Sequence, residues 1–380
     1  MQFRPVSSSW IVPFAVAIVL LWGTADARAD TVRIPIAVPT TGPLALEGTS
    51  QRNGALLALE EAPTALGVAT EEADTAASAE SALNALARVL ARPRVAAVAA
   101  SIFGPQMLAM MPVAEQAKVP LLTVSGTARL TEMGNAFVFR FFPADPVVKA
   151  AQARYAVEDL KRTRAAILYQ TTAYGQSGRD ALQDNLARMG ASVVHEESLA
   201  LSIKDFSASL AKARASGADV LLLQLHAGPT ALLVKQAAAQ RLGLPIVAGS
   251  AMHQPTTAAL LEPAELAGVC AESGSSPVSG GAPELERFTL AYRKRFGAEP
   301  DGFALAQYDA VRMAIEAISK GARTGEAVRA HLAGQSHAGV AMTYRSDGKG
   351  NMAHDAVIVC YDGQSRTPRL VKRYAGTPKP

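Results

Sequence analysis

Residues 165–225, AAILYQTTAYGQSGRDALQDNLARMGASVVHEESLALSIKDFSASLAKARASGADVLLLQL, carry the pattern that sets the fold class. Strand-like runs at 165–169, 192–196 and 220–225 alternate with helical patterns at 177–189 and 206–216. Strands that alternate with helices of this length predict right-handed βαβ crossovers and parallel sheets covered on both faces. The stretch therefore predicts an α/β fold.

The alternation extends in both directions from this stretch. Further strands are predicted at 32–38, 95–100, 121–124 and 245–249, and further helices at 48–61, 78–90, 105–118 and 230–241. A segment rich in Gly, Ser and Pro at 273–283 precedes three helices, at 283–296, 303–320 and 324–332, and a β-rich tail with strands at 340–344 and 357–361. For 380 residues we expect two domains. We predict two α/β lobes between which the chain passes more than once, with a ligand cleft between them.

Residues 1–29 have the features of a secretory signal peptide. Arg4 is followed by an apolar run at 11–23, and the alanines at 25, 27 and 29 form two small-x-small cleavage patterns, ending at Ala27 and Ala29. The apolar run is shorter than the roughly 20 residues of a membrane-spanning helix, and it contains Pro13. We therefore expect an exported protein that begins near Asp30, not a membrane anchor.

The charge and the cysteines exclude several classes of protein. Lys and Arg number 37 against 33 Asp and Glu, a net charge of +4 without a basic run, so we expect no nucleic-acid partner. Two cysteines, Cys270 and Cys360, are too few for a disulfide scaffold and lack the CxxC spacing of a zinc site. They could pair in an oxidising compartment, but the sequence does not decide this.

Catalytic motifs lack the context that they require. Gly334-Gln335-Ser336-His337-Ala338 resembles a nucleophile elbow, but a predicted helix precedes the serine and a strand follows it, the reverse of the required order. The six histidines include no i, i+4 pair for a metal, and no phosphate-binding glycine loop is present. We expect no catalytic residues, no metal and no cofactor, and keep a secreted hydrolase as a weaker alternative.

Several short blocks of sequence follow one another in a characteristic order. The blocks are Thr41-Gly42-Pro43, Gly48, Asn53-Gly54-Ala55, residues 119–127 with Leu130-Thr131, Phe139-Arg140, residues 166–169 with 174–178, Asp205-Phe206-Ser207, residues 217–220 and Tyr308-Asp309-Ala310. Taken together, they resemble the leucine/isoleucine/valine-binding family of periplasmic receptors for ABC transporters. The resemblance implies a type I periplasmic-binding fold with three hinge crossings. Its lobes would comprise 31–143 plus 276–340 and 144–275 plus 341–380. It also implies a periplasmic monomer that serves a membrane ABC permease.

Candidate ligand contacts lie where predicted strands end. Ser101 to Gly104 lead into a helix with Pro105 at its first position, and Ser125 and Thr127 follow a buried strand. Hydroxyls and free N–H groups at such places suit a carboxylate or amide oxygen, although Ser125 and Thr127 could simply cap the next helix. Tyr174, at a strand-to-helix turn, could pack on the ligand or lie at the rim.

The departures from the family pattern bear on the ligand. Gly104 replaces a hydroxyl residue, His226 replaces a tyrosine, and no acid at 250–253 could hold an α-ammonium group. Glu47 stands where an aromatic residue is usual. Either Glu47 supplies the missing charge, or the ligand is an amide or an organic or aromatic acid without an α-ammonium; an exposed loop carboxylate is the other interpretation of Glu47. The expected ligand-binding residues are Glu47, Ser101, Gly104, Ser125, Thr127, Tyr174, His226 and Met252.

We therefore expect a periplasmic solute-binding component of an ABC importer, which binds a small organic ligand by lobe closure. A ligand-sensing subunit of a signalling system would share the fold and the cleft, and is the alternative.

Overall fold

The computed structural model describes residues 1–3, 31–334 and 336–376. Apart from its first three residues, the predicted signal peptide at 1–29 lies outside the described residues. Among the helices of the described ranges, none is both long enough and apolar enough to cross a membrane.

Strands and helices alternate through most of the described chain. The strands are β1 (Val32–Arg33), β2 (Ile36–Val38), β3 (Val68–Ala69), β4 (Glu72–Asp74), β5 (Val98–Ala100), β6 (Leu121–Thr123), β7 (Val138–Arg140), β8 (Arg164–Gln170), β9 (Ser192–Leu199), β10 (Val220–Gln224), β11 (Ile246–Ala248), β12 (Val269–Ser273), β13 (Ser336–Ala338), β14 (Thr343–Arg345), β15 (Ala356–Cys360) and β16 (Arg369–Tyr374). The helices are α1 (Ala45–Glu60), α2 (Ala79–Leu90), α3 (Gly104–Ala117), α4 (Arg129–Glu132), α5 (Asp145–Arg154), α6 (Ala173–Arg188), α7 (Ser207–Ala215), α8 (Ala227–Ala239), α9 (Pro255–Ala258), α10 (Pro283–Phe296), α11 (Gly302–Ser319) and α12 (Gly325–Gly334).

Two large sheets organise the molecule and confirm the α/β prediction. The five-stranded sheet has the order β4-β2-β5-β6-β7, with every pair parallel. The seven-stranded sheet has the order β16-β15-β12-β11-β10-β8-β9, and it is parallel except where β15 pairs with β12 and β16. We call the parts built on these sheets the first lobe and the second lobe.

The short strands β3 and β4, the helix α5 and the strand β16 were not predicted. β4 is an edge strand, and its Glu72 and Asp74 are exposed while Ala73 is buried. β16 is longer than β4, with 6 residues against 3, but it is also an edge strand, and its residues alternate between exposed and half-buried. Because an edge strand buries little, β4 and β16 lack the apolar run by which the buried strands were recognised.

The first lobe also includes residues far along the chain. Tyr344 and Met352 are buried in the same core cluster as Phe141 and Phe288 of the first lobe. The next strand, β15, lies in the second lobe. We therefore propose that the third crossing lies between Met352 and β15, later than the predicted boundary at 340/341.

A disulfide joins Cys270 and Cys360. The two residues are directly opposite in the antiparallel pair of β12 and β15. β12 is the last strand before the chain leaves the second lobe, and β15 is the first after it returns. The bond therefore ties together the second-lobe ends of two crossings.

The topology places several loops at the carboxyl ends of parallel strands. In the first lobe these loops lead from β2 to α1, from β5 to α3, and from β6 to α4. In the second lobe they lead from β8 to α6 and from β10 to α8. Ligands bind at such ends in open α/β sheets, and all of the predicted site residues except Met252 lie in these loops or in the first turns that follow them.

Candidate ligand-binding site

Glu47 and His226 meet from opposite lobes. Glu47 lies in the first turn of α1 and is 2% exposed, and His226 directly precedes α8. Glu47 Oε1 accepts a hydrogen bond from the Ala227 backbone N–H at 2.8 Å and lies 3.7 Å from His226 Nδ1. The two residues thus form a contact across the cleft, and Glu47 is not an exposed loop carboxylate.

Aromatic rings surround the His226 imidazole. The ring centroid of Tyr174 lies 5.0 Å from that of His226, and the Phe103 centroid lies 5.8 Å away in an edge arrangement. The His226 backbone N–H donates to Gln170 Oε1 at 2.7 Å, which fixes the start of α8. Burial raises the pKa of Tyr174 well above its usual value, and the charges of Glu272, Asp145 and Glu47 add to this effect. The Tyr174 phenol therefore remains protonated and can donate a hydrogen bond.

The two first-lobe loops approach each other closely at Gly104. A Cβ atom at this position would lie 2.3 Å from Thr127 Oγ1, so no larger residue fits without movement. The loop at 125–127 is held from behind by the buried Arg140, whose Nη1 donates to the carbonyl oxygens of Ser125, Gly126 and Thr127. Burial lowers the pKa of Arg140 to about 10, so the guanidinium is still charged at neutral pH. Gly104, Ser125 and Thr127 therefore form one rigid corner.

Two predicted residues are engaged elsewhere. The Ser101 hydroxyl donates to Gln106 Oε1 at 2.6 Å and accepts from the Phe103 N–H, so its hydrogen-bonding capacity is used within the first lobe. Met252 is fully buried in the core of the second lobe, and its carbonyl oxygen accepts from the Tyr361 hydroxyl at 2.9 Å. Neither side chain is brought together with Glu47 and His226.

An acid near Ser250 was missed because it comes from another part of the chain. Glu272 in β12 accepts from the Ser250 backbone N–H at 2.9 Å and from its hydroxyl. The same carboxylate lies 2.5 Å from Lys149 Nζ, with both side chains fully buried. Lys149 neutralises this acid, so Glu272 does not provide the unpaired negative charge that the family pattern places near residue 250. No local pattern in the sequence joins residues 149, 250 and 272.

Comparison with known proteins identifies the family. The chain matches the periplasmic binding protein family over residues 31–365. The chain belongs to this family. A curated relative of this periplasmic binding protein is the Leu/Ile/Val-binding protein homolog 7 of Brucella abortus, which is 27% identical over 316 residues, or 78% of this chain and 79% of the relative.

Two solved structures share the fold of this periplasmic binding protein. The branched-chain amino acid transporter substrate-binding protein of Streptococcus pneumoniae, in complex with isoleucine, has a TM-score of 0.82 at 22% identity and covers 90% of this chain and 99% of its own. A solute-binding protein of R. palustris, in complex with benzoate, has a TM-score of 0.81 at 16% identity over 91% and 97% of the two chains. At these identities the likeness concerns the fold alone.

In this periplasmic binding protein the two lobes contact each other at further points. The Ala128 N–H of the first lobe donates to the Ser177 hydroxyl of the second at 3.0 Å. Gln254 Nε2 of the second lobe donates to Asp301 Oδ2 of the first at 2.8 Å. Together with the contact between Glu47 and Ala227, these hydrogen bonds connect the two lobes.

The motif around Ser336 follows a helix and lies in a strand, whereas a nucleophile elbow requires a strand before the serine and a helix after it. Ser336 is the first residue of the short strand β13 and lies two positions after Gly334, the last residue of α12. Relatives of the periplasmic binding protein family are named as binding proteins, and the geometry at Ser336 gives no strand-to-helix turn for a nucleophile.

Proposed function

We propose that this periplasmic binding protein captures a small organic ligand between its lobes and delivers it to an ABC permease. The observation that carries the proposal is the meeting of Glu47 and His226, two buried polar residues from opposite lobes. Membership of the periplasmic binding protein family supports the transport role. In this role the protein acts as an exported monomer, catalyses no reaction and binds no nucleic acid.

Unsatisfied polar atoms indicate the chemistry of the ligand. Glu47 Oε2 and His226 Nε2 are buried and have no hydrogen-bond partner among the described residues. A buried polar atom without a partner costs about 1–3 kcal/mol, and more if it is charged. A ligand that donates a hydrogen bond to Glu47 and also bonds to His226 would remove this cost.

The remaining contacts would orient such a ligand. We assign its acidic or carbonyl end to the corner formed by Gly104, Ser125 and Thr127, and its apolar body to Phe103 and Tyr174. Two ligand classes satisfy these requirements: amino acids, whose ammonium group would meet Glu47, and aromatic acids or amides with a hydroxyl or N–H donor. The isoleucine bound in one structural neighbour represents the first class in that protein; the benzoate bound in the other is an aromatic acid without a hydroxyl or N–H donor.

Ligand contacts with both lobes explain how binding could be signalled. A ligand shifts an equilibrium between open and closed lobes only if it binds one state more tightly. A ligand that bridges Glu47 and His226 makes its full set of contacts only when the lobes are closed. The permease would then distinguish the loaded from the empty protein by the closed shape.

A thermal-shift screen of the purified protein tests this function. The screen would contain the L-amino acids, benzoate and its hydroxylated derivatives, and the corresponding amides, because a bound ligand raises the melting temperature by mass action. We expect a concentration-dependent rise with members of one class. No rise with any of these compounds at millimolar concentration would contradict the proposed ligand chemistry.

A further inference from the structure

Three side chains that can bind a metal meet on the first lobe, outside the cleft. Glu316 lies near the end of α11, His331 lies in α12, and His337 lies in β13. Their candidate ligand atoms all lie within 4.8 Å of one another. The sequence did not suggest this site because its residues come from three elements and show no i, i+4 spacing of histidines.

The distances within this cluster fit a small cation. His337 Nδ1 lies 3.6 Å from Glu316 Oε2, and His331 Nε2 lies 4.0 Å from Glu316 Oε1. The two imidazole centroids are 5.1 Å apart. A tetrahedral Zn²⁺ ion with bonds of about 2.0–2.1 Å holds its ligand atoms roughly 3.3 Å apart. The two His–Glu separations therefore need contractions of about 0.3 Å at His337 and about 0.7 Å at His331, to which the half-exposed Glu316 can contribute.

The imidazoles have buried nitrogen atoms that the protein does not use. The side chain of His337 is 1% exposed and that of His331 is 9% exposed. Nε2 of each residue is buried and has no hydrogen-bond partner among the described residues. In His331 this unpartnered Nε2 is also the atom that faces Glu316, whereas in His337 the atom that faces Glu316 is Nδ1. Most buried polar atoms have partners, so the unpartnered His331 Nε2 points to a missing ligand.

The carboxylate side of the cluster is accessible from solvent. Glu316 and Val340 belong to the lining of an open groove with a volume of about 590 Å³. Lys320 Nζ lies 2.5 Å from Glu316 Oε1, which leaves Oε2, the oxygen nearer to His337, free of the lysine. A cation could therefore enter along the groove and bind Oε2 while Lys320 keeps Oε1.

We propose that Glu316, His331 and His337 bind one divalent transition-metal ion of the type that prefers imidazole and carboxylate ligands, with Zn²⁺ as its representative. Two imidazole nitrogens and one carboxylate oxygen form a three-ligand set that suits Zn²⁺, Ni²⁺ or Cu²⁺ and leaves a position for water.

The ion would fasten the chain segment that follows α12. Asp309, two turns before Glu316 in α11, already accepts hydrogen bonds at 2.8 Å from the backbone N–H groups of Val340 and Ala341. A metal at Glu316 would add a second attachment of α12 and β13 to the same helix. Metal binding should therefore raise the melting temperature of the protein without requiring a ligand in the cleft.

Titration of the purified protein, prepared without a polyhistidine tag, with ZnCl₂ and CoCl₂ tests the proposal. We expect one Zn²⁺ per chain by calorimetry, a higher melting temperature with Zn²⁺, and visible absorption bands of tetrahedral Co²⁺. His331→Gln, His337→Gln and Glu316→Gln should each weaken Zn²⁺ binding by at least about 100-fold. Lys320→Gln should strengthen it several-fold because a competing positive charge is removed.

His195→Gln is the matched control. His195 Nε2 also lies near a carboxylate, 3.5 Å from Glu197 Oε2. Among the described residues, however, this pair does not belong to a group of three possible metal ligands. The control should bind Zn²⁺ like the unmodified protein. If His337→Gln does not fold, the less buried Glu316→Gln variant provides the same comparison. Absence of binding at one equivalent, or unchanged binding in both His331→Gln and Glu316→Gln, would show that the cluster is a His–Glu ion pair and would overturn the proposal.

Discussion

Glu47 Oε1 of the first lobe lies 3.7 Å from His226 Nδ1 of the second, and both side chains are buried. Each residue also has a buried polar atom that lacks a partner among the described residues, Oε2 in Glu47 and Nε2 in His226. The contact therefore joins the lobes and leaves hydrogen-bonding capacity for a ligand.

Replacing Gly104 by Ala should weaken ligand binding by about ten-fold or more. The added Cβ would lie 2.3 Å from Thr127 Oγ1 and would push apart the two loops of the corner. Overpacking of this kind costs about 1–3 kcal/mol. Titration calorimetry with a ligand from the screen measures the effect. Gly228→Ala in α8 is the control, because its Cβ would contact nothing within 4 Å; equal affinities in the two variants would contradict the prediction.

Replacing Lys149 by Met should destabilise the second lobe strongly. The substitution leaves the Glu272 carboxylate buried without its cation, and breaking a buried ion pair costs about 3–5 kcal/mol. Urea denaturation measures the free energy of unfolding. Lys212→Met, which removes an exposed pair with Glu197, should cost less than about 1 kcal/mol. A similar loss of unfolding free energy in both variants would show that the buried pair stabilises the protein no more than the exposed pair does.

The disulfide should contribute several kcal/mol to stability. It closes a loop between residues 90 positions apart, for which chain entropy predicts about 4–5 kcal/mol. Denaturation of Cys270→Ala/Cys360→Ala, compared with the unmodified protein, checks this magnitude. Thiol titration of the unfolded, unreduced protein should detect no free thiol. Two free thiols per chain would contradict the pairing.

Asp145 should make the protein less stable as the pH rises from about 4 to 6. Burial raises the pKa of Asp145 to about 6, against the opposing effects of Lys149 and Ser177. In this window the folded state holds a proton that the unfolded state has released, so the free energy of unfolding falls with pH, by at most about 1.4 kcal/mol per unit. Urea denaturation at pH 4, 5, 6 and 7 should show a flatter profile for Asp145→Asn. Parallel profiles would refute this assignment.

Local sequence patterns predicted the strands and helices that are buried and apolar. The fully buried β10 was recognisable from its own residues. Glu47 and His226 could be selected because they follow predicted strands and depart from the family pattern. We now exclude Ser101 and Met252 from the proposed contacts: the Ser101 hydroxyl is bonded to Gln106, and Met252 packs in the core.

Contacts between distant segments could not be predicted in the same way. Glu272 reaches Ser250 and Lys149 because β12, β11 and α5 pack together, and Cys270 faces Cys360 because β15 returns beside β12. His331, His337 and Glu316 likewise meet through packing of α11, α12 and β13. Such proximity depends on how the helices and strands pack together, and the hydrophobic periodicity of the sequence does not show this packing.

Titration calorimetry of Glu47→Gln tests the central claim most directly. The variant keeps the shape of the side chain and removes its charge, and hydrogen bonds to charged groups contribute about 1.5–3 kcal/mol. With the ligand found in the screen, we predict a loss of affinity of at least about ten-fold. Glu60→Gln, which alters the exposed pair with Arg295 at the other end of α1, should bind like the unmodified protein. Unchanged affinity in Glu47→Gln would contradict the proposed cleft contact.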